Sequence, residues 1–275
     1  MDQYLGLIWL IPLGFFAGVC GTLIGAGGGF ILVPVLLLLY PNEASETITS
    51  ISLAVVFFNA LSGSLAYART QRIDYKTGVI FSIAAVPGAV LGALTTTYVP
   101  RRSFDAVFGI LMLLVSALLF LRPVKRERTL GKTISSLAQE IINQHSFFRL
   151  SPLKLLLGVG LSSALGYLSS FLGVGAGFVY VPAFVYVLDF PVHTATATSL
   201  FILTIMAFTG SATHILAGLF HHGIRRTTVL VIGVILGAQL GAWLSRRVHD
   251  NWIIRGLAIA LALVGTRLLL TAWGL

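Results

Sequence analysis

The sequence predicts an all-α membrane protein, a polytopic bundle of transmembrane helices made of two homologous repeats. Charged residues occupy only 10% of the 275 positions and hydrophobic residues 57%, whereas a soluble domain carries about 25% charge. The polar residues lie in short stretches between long apolar runs, which is the pattern of membrane helices. A Gly-rich segment that occurs twice is the third observation.

Two of the eight apolar runs are too long for a single crossing. A helix across roughly 30 Å of hydrocarbon needs about 20 residues. The runs at 5–40 and 153–188 would each form a helix about 54 Å long. Each contains a glycine cluster, so we expect each to be a broken helix or a hairpin. The other six runs, at 47–68, 76–98, 104–121, 194–220, 227–245 and 253–273, each fit one crossing.

The two long runs resemble each other in sequence. The segment LIGAGGGFILVPVLLLLY at 23–40 aligns without gaps on FLGVGAGFVYVPAFVYVL at 171–188. Thr49 and Ser52 then match Thr196 and Ser199 after a gap of one residue. Such an internal repeat is common in transporter folds. We therefore predict a first transmembrane repeat at 1–122, a basic cytoplasmic linker at 123–152 and a second repeat at 153–275.

The relative orientation of the repeats depends on the long runs. If each run crosses once, the repeats are parallel; if each turns back at its glycines, the repeats are inverted. Both arrangements leave five Lys or Arg residues on the outer side, so charge bias does not decide between them. The length of the long runs favours hairpins and therefore inverted repeats.

The glycine clusters are the first candidate for a binding site. Runs of glycine weaken a helix and permit positive φ, and unwound backbone at membrane depth is tolerated where protein buries it or a watery cavity adjoins it. Helices that restart after the glycines would direct free N–H groups and positive dipole ends at an anion. The candidate substrate-binding residues are Gly27, Gly28, Gly29 and Phe30 in the first repeat and Gly175, Ala176, Gly177 and Phe178 in the second.

Neutral polar residues inside the following spans are the second candidate. No carboxylate lies deep in an apolar run, although cation and proton-coupled carriers usually bury one. This favours an anion or a neutral solute and leaves no acid–base pair for an enzyme. Hydroxyls often bond their own helix, and His214 is either a packing residue or a proton-linked switch. The candidates are Thr49, Ser52, Asn59, Thr196, Ser199 and His214.

The composition limits the kinds of molecule that we expect the protein to bind. The net charge of +9 arises from 18 basic residues that lie mostly in loops beside apolar runs, which indicates membrane orientation and not nucleic-acid binding. A single cysteine excludes an internal disulfide and Cys-rich metal sites. We expect a lipid bilayer and a small anionic substrate as partners, and no cofactor, no metal and no nucleic acid; a homo-oligomer stays open.

The order of these motifs resembles the TauE/SafE sulfite exporter family, also called the toluenesulfonate uptake permease family. The resemblance rests on GAGGGFILVP and GVGAGFVYVP, on the ATATS start of the next span, and on PGAVLGA at 87–93. It covers nearly the whole chain. It implies a multi-pass carrier in the cytoplasmic membrane that moves sulfite, sulfonates or related sulfur-containing anions.

The residues and the resemblance together predict a secondary transporter, an exporter of small sulfur-containing oxyanions that works by alternating access. The two repeats would rock about a site in the middle of the membrane. An anion channel is one alternative. A membrane assembly factor that transports nothing is the other, and it predicts that a bulky residue at Gly28 or Gly177 alters folding without altering solute flux.

Overall fold

Ten α-helices and no strand form the part of the chain that the computed structural model describes, residues 7–121, 152–186, 188, 190–220, 223–245 and 250–273. This confirms the predicted all-α fold. The predicted linker at 123–152 lies outside the described residues except for Pro152. The helices are α1 (Leu10–Ile24), α2 (Gly29–Leu39), α3 (Ser45–Ala68), α4 (Tyr75–Thr96), α5 (Arg101–Leu121), α6 (Pro152–Leu172), α7 (Gly177–Tyr186), α8 (Val192–Leu216), α9 (Ile224–Leu244) and α10 (Asp250–Trp273).

Five of the described helices are long and apolar enough to cross a membrane: α3, α4, the Leu155–Leu172 part of α6, α8 and α9. Large apolar side chains on the outer surface remain exposed, for example Ile83 at 68% and Leu263 at 68%. A soluble protein rarely exposes so much apolar surface, whereas lipid covers it without cost. The predicted multi-pass membrane protein is confirmed.

Glycines bring two pairs of helices into close parallel contact. A Cβ added to Gly14 of α1 would lie 2.4 Å from the Leu230 carbonyl oxygen of α9, and one added to Gly18 would lie 2.6 Å from that of Val234. Because residue numbers rise together, α1 and α9 run in the same direction. The pair α4 and α6 is also parallel, since Gly88 faces Ser163 and Gly92 faces Tyr167.

Two further pairs are antiparallel. In α3 and α8, Ser50 contacts His214 whereas Gly63 contacts Leu200. In α5 and α10, Gly109 lies against Gly265, and the Ser116 hydroxyl donates to the Ala258 carbonyl oxygen over 2.7 Å. These contacts fix the relative direction of the two helices in each of the four pairs, and the short connections between successive helices relate the pairs to one another.

The first long run is a hairpin. At the far end of α2, the guanidinium of Arg226 lies 3.9 Å from the centre of the Tyr40 ring and 2.8 Å from a Glu43 carboxylate oxygen. Arg226 is in the first turn of α9, which is parallel to α1. The end of α2 is therefore level with the start of α1. Arg101 fixes that end further by donating to the Leu37 and Glu43 carbonyl oxygens over 3.0 and 2.7 Å.

The second long run turns back in the same way. The Tyr180 hydroxyl of α7 donates to the Ser162 carbonyl oxygen of α6 over 3.3 Å. Farther along α7, the Phe184 ring packs 5.7 Å from the Phe81 ring, which also contacts Gly158 near the start of α6. Thus α7 ends beside the start of α6, and both long runs have the hairpin form that their length favours.

The helices follow the same order in both halves, and each helix of the first half runs opposite to its counterpart in the second. These are the directions that inverted repeats require; a common origin of the halves stays a prediction. The directions also sort the basic residues. Among the described residues, Arg101, Arg102, Arg225, Arg226 and Arg267 lie toward one end of the bundle, and Arg69, Arg72, Lys76, Lys154 and Arg255 lie toward the end where α3, α5 and α9 finish. The segments 122–151 and 246–249, which join helices at that second end, contain eight more Lys and Arg residues in the sequence.

We expect the more basic end to face the cytoplasm, because Lys and Arg concentrate on that side. In a Cys20→Ser background, Tyr98→Cys and Arg69→Cys place one exposed thiol at each end. A membrane-impermeant maleimide should label Tyr98→Cys in intact cells and Arg69→Cys only after permeabilisation. The reverse pattern would contradict this orientation.

Candidate functional site

The loops that join the helices of each hairpin meet at the centre of the bundle. We call residues 25–28 and 173–176 the first and second glycine loops. A Cβ added to Gly27 or to Gly175 would contact both Val56 and Leu203, which lie near the middles of α3 and α8. Both glycines have φ of +78°, which other residues rarely adopt. Each long run therefore breaks, as predicted, at a glycine loop. The two loops cross each other level with the middles of α3 and α8, which is the depth of the membrane centre.

The restarted helices begin where the sequence predicts them. Gly29 opens α2 and Gly177 opens α7, each one residue before the predicted Phe30 or Phe178. A Cβ on Gly177 would lie 2.0 Å from the Gly25 carbonyl oxygen, and one on Gly29 would lie 2.3 Å from that of Val174. Each positive helix end thus lies against carbonyl oxygens of the opposite loop, which compensate part of its dipole.

Two serines join the halves. The Ser52 hydroxyl donates to the Gly173 carbonyl oxygen over 2.6 Å. The Ser199 hydroxyl lies within hydrogen-bond distance of two carbonyl oxygens, that of Gly25 at 3.0 Å and that of Thr196 in its own helix at 2.9 Å. The last carbonyl groups of a helix receive no hydrogen bond from their own helix. Each serine therefore provides a donor for one such carbonyl of the other half. In this conformation both hydroxyl hydrogens are used within the protein, and their predicted contact with substrate stays a prediction.

The two predicted threonines contact the loops through their methyl groups. The Thr49 hydroxyl donates to the Ser45 carbonyl oxygen of its own helix, as membrane-helix hydroxyls often do. Its methyl carbon would lie 2.5 Å from a Cβ on Gly173, and the methyl carbon of Thr196 would lie 3.0 Å from a Cβ on Gly25. Both threonines are therefore at the site, where they limit the space around the loops.

Asn59 is buried beside the first glycine loop, where its Oδ1 accepts a 3.0 Å hydrogen bond from the Thr22 hydroxyl. In the second half, Met206 replaces Asn59 and is also fully buried. There the Ser169 hydroxyl oxygen accepts from the Ala176 N–H over 3.0 Å. The two halves of the site are thus unequal.

His214 lies away from the loops, near the end of α8. It is fully buried, and its Nδ1 contacts the Ser50 hydroxyl of α3. The Ser50 hydroxyl oxygen also lies 2.6 Å from the Glu46 carbonyl oxygen of its own helix. The counterparts of this pair are Tyr67 and Ala197, which cannot form the same bond. His214 therefore links α8 to α3 at one end of the bundle only.

The site is closed in this structure. Phe30 and Phe178 are 2% and 3% exposed. An apolar cavity of about 10 Å³ beside the second loop, lined by Ser169, Ala176 and Phe178 among others, has room for about one water molecule. An oxyanion would need more space than this, so the loops must separate before a ligand can bind between them.

Sequence reasoning missed Thr22 and Ser169. Extending the ungapped alignment two residues upstream pairs Gly21 with Ser169 and Thr22 with Ser170, which would have marked both positions. The bond between Ser50 and His214 has no counterpart in the other half, so the repeat carried no signal for it.

Gly177→Ala should destabilise the protein by about 1–3 kcal/mol, because its Cβ would overlap the Gly25 carbonyl oxygen in a packed centre. Gly160→Ala is the matched control, since a Cβ there meets nothing within 4 Å. Thermal unfolding in detergent should show a clearly lower melting temperature for Gly177→Ala and an unchanged one for Gly160→Ala. Equal melting temperatures would contradict the crossed-loop packing.

Ser52→Ala should cost about 1–3 kcal/mol, because it leaves the buried Gly173 carbonyl unsatisfied. Ser199→Ala should cost less, because the Ser199 hydroxyl is shared between the Gly25 carbonyl and that of Thr196 in its own helix. Ser82→Ala is the control, because the equally buried Ser82 hydroxyl bonds its own helix at Gly78. The melting temperatures of the two site variants should fall below that of the control. If the melting temperature of Ser82→Ala falls as far as those of the site variants, the bonds between the halves do not stabilise the protein.

Comparison with known proteins gives a consistent result. The family model for sulfite exporter TauE/SafE matches residues 10–268. The probable membrane transporter protein YunE of Bacillus subtilis is 31% identical over 271 residues, covering 96% of this chain and 98% of YunE. A probable membrane transporter protein of Methanocaldococcus jannaschii is 23% identical over 273 residues, covering 95% and 94% of the two chains. No solved structure matches the chain.

Proposed function

This chain belongs to the TauE/SafE family and is a membrane transporter, and we propose that it exports small sulfur-containing oxyanions such as sulfite or organosulfonates. The transport cycle is alternating access, in which the two halves rock about the crossed glycine loops. The direction and the substrate class follow the family description. The bilayer is its solvent, and the substrate is its small-molecule partner.

The meeting of the two glycine loops at mid-membrane is the observation that carries this proposal. It places the starts of α2 and α7, two positive helix ends, at the same depth. The surrounding candidate groups are neutral donors and apolar side chains, which suit an oxyanion that must bind and then leave. Full burial of the loops favours a carrier that opens to one side at a time.

An anion channel and a membrane assembly factor are the rival functions. A channel needs a continuous path, whereas the centre of this structure is closed by backbone contacts such as that of Gly177 with Gly25. An assembly factor needs no solute site and predicts no flux. The burial of the loops therefore favours a carrier over a channel, and the presence or absence of solute flux separates a carrier from an assembly factor.

Flux through proteoliposomes tests the proposal. Labelled sulfite and ethanesulfonate, loaded inside, should leave vesicles that contain the protein, with saturable rates and with acceleration by the same anion outside. Vesicles without protein are the control. A linear, unsaturated flux would indicate a channel. If a cation crosses and neither anion does, the proposed substrate class is wrong.

A further inference from the structure

The Asn59 amide is a fully buried donor beside the first glycine loop that is unused among the described residues. The buried Ser170 hydroxyl, before the second loop, is also without a partner there, but it lies against Gly210 of α8. Its Oδ1 accepts from Thr22, but Nδ2 has no hydrogen-bond partner there. A buried donor without a partner costs about 1–3 kcal/mol. No bulk water is present at the middle of a membrane to accept a hydrogen bond from this amide. A ligand that accepts this bond would therefore be stabilised by it.

The unused amide is directed at the start of α2. A Cβ on Gly28 would lie 3.2 Å from Asn59 Nδ2, and one on Gly21 would lie 2.6 Å from it and 2.2 Å from the Gly28 nitrogen. Gly28 is the N-cap of α2, an 11-residue helix, and the N–H groups of a first turn have no acceptor inside their helix. The Asn59 amide and the start of α2 thus face one point, where an anion would meet N–H donors. The Ala17 carbonyl oxygen, 2.6 Å from a Cβ on Gly28, also faces this point and must withdraw when an anion binds.

The second half lacks this arrangement. There the Ala176 N–H is bonded to Ser169, whereas the first half has Gly21 at the position of Ser169 and so has no such side chain. Met206 stands where Asn59 would be. Gly28 has φ of +78°, and Ala176 does not share it. The Ala176 N–H of the second loop is therefore paired, whereas the Asn59 amide beside the first loop is not.

Building on the proposed function, we infer that the transporter binds a single oxyanion, held at the start of α2 by the Asn59 amide and the first-turn N–H groups. The second glycine loop closes over this anion and forms no second anion site. Because α1 and the N-cap of α2 are in contact at Gly21, the anion must separate the two helices of the first hairpin when it binds. Substrate binding and opening of that hairpin are then one event.

Isothermal titration of the purified full-length protein with sulfite tests this inference. We expect one sulfite per chain for the wild type and at least tenfold weaker binding for Asn59→Met, which installs the residue of the second half. Asn59→Asp keeps an acceptor for the Thr22 hydroxyl but repels an anion, so it should abolish binding. Met206→Leu, a volume-conserving change at the counterpart position, should bind within twofold of the wild type.

Two results would overturn the inference while leaving the proposed function intact. One is a stoichiometry of two sulfites per chain, which needs no variant. The other is unchanged binding by Asn59→Asp, which would mean that the amide is turned the other way and caps α2 through its oxygen. A wild type that binds neither sulfite nor ethanesulfonate would instead contradict the proposed substrate class. Melting temperatures confirm that each variant is folded.

Discussion

The contact between the two glycine loops is the constraint on which the rest of the molecule depends. Four backbone segments end at the middle of the bundle, and in a membrane each polar group there must find its partner within the protein. The bonds from Ser52 to Gly173 and from Ser199 to Gly25 supply two of these partners across the halves. Side chains at Gly29 or Gly177 would push the loops apart, so the sequence must keep glycine there.

Small residues around the hairpins extend the same constraint outward. The first helices of the two hairpins, α1 and α6, also pack closely against neighbouring helices. Gly14 and Gly18 allow this against α9, and Gly88 and Gly92 allow it against α6. Lipid tails are as apolar as the side chains, so the hydrophobic effect contributes little to the association of helices in a membrane. Close van der Waals packing is a main contribution instead. The glycine content thus supports both the loops and the bundle that holds them.

Much of the fold could be predicted from the sequence, because it depends on the length of the apolar runs and on the positions of the glycine clusters. Run length indicated the hairpins, and the glycine clusters located the restarts of α2 and α7 to within one residue. The site was harder to predict. Whether the Ser52 hydroxyl faces a ligand or the Gly173 carbonyl depends on where the opposite loop lies, and no local pattern encodes that. Hydroxyl positions in sequence identify candidates, and their partners emerge only from tertiary packing.

The bond between His214 and Ser50 has an energetic consequence. A carrier with two identical halves would have inward-open and outward-open forms of equal free energy. Here one end of the bundle has this bond and the other has Tyr67 and Ala197 at the matching places. A bond of about 1 kcal/mol corresponds to roughly a fivefold difference in population. In the proposed alternating-access cycle, a bond that is kept in only one of the two open forms would make the empty protein favour that form.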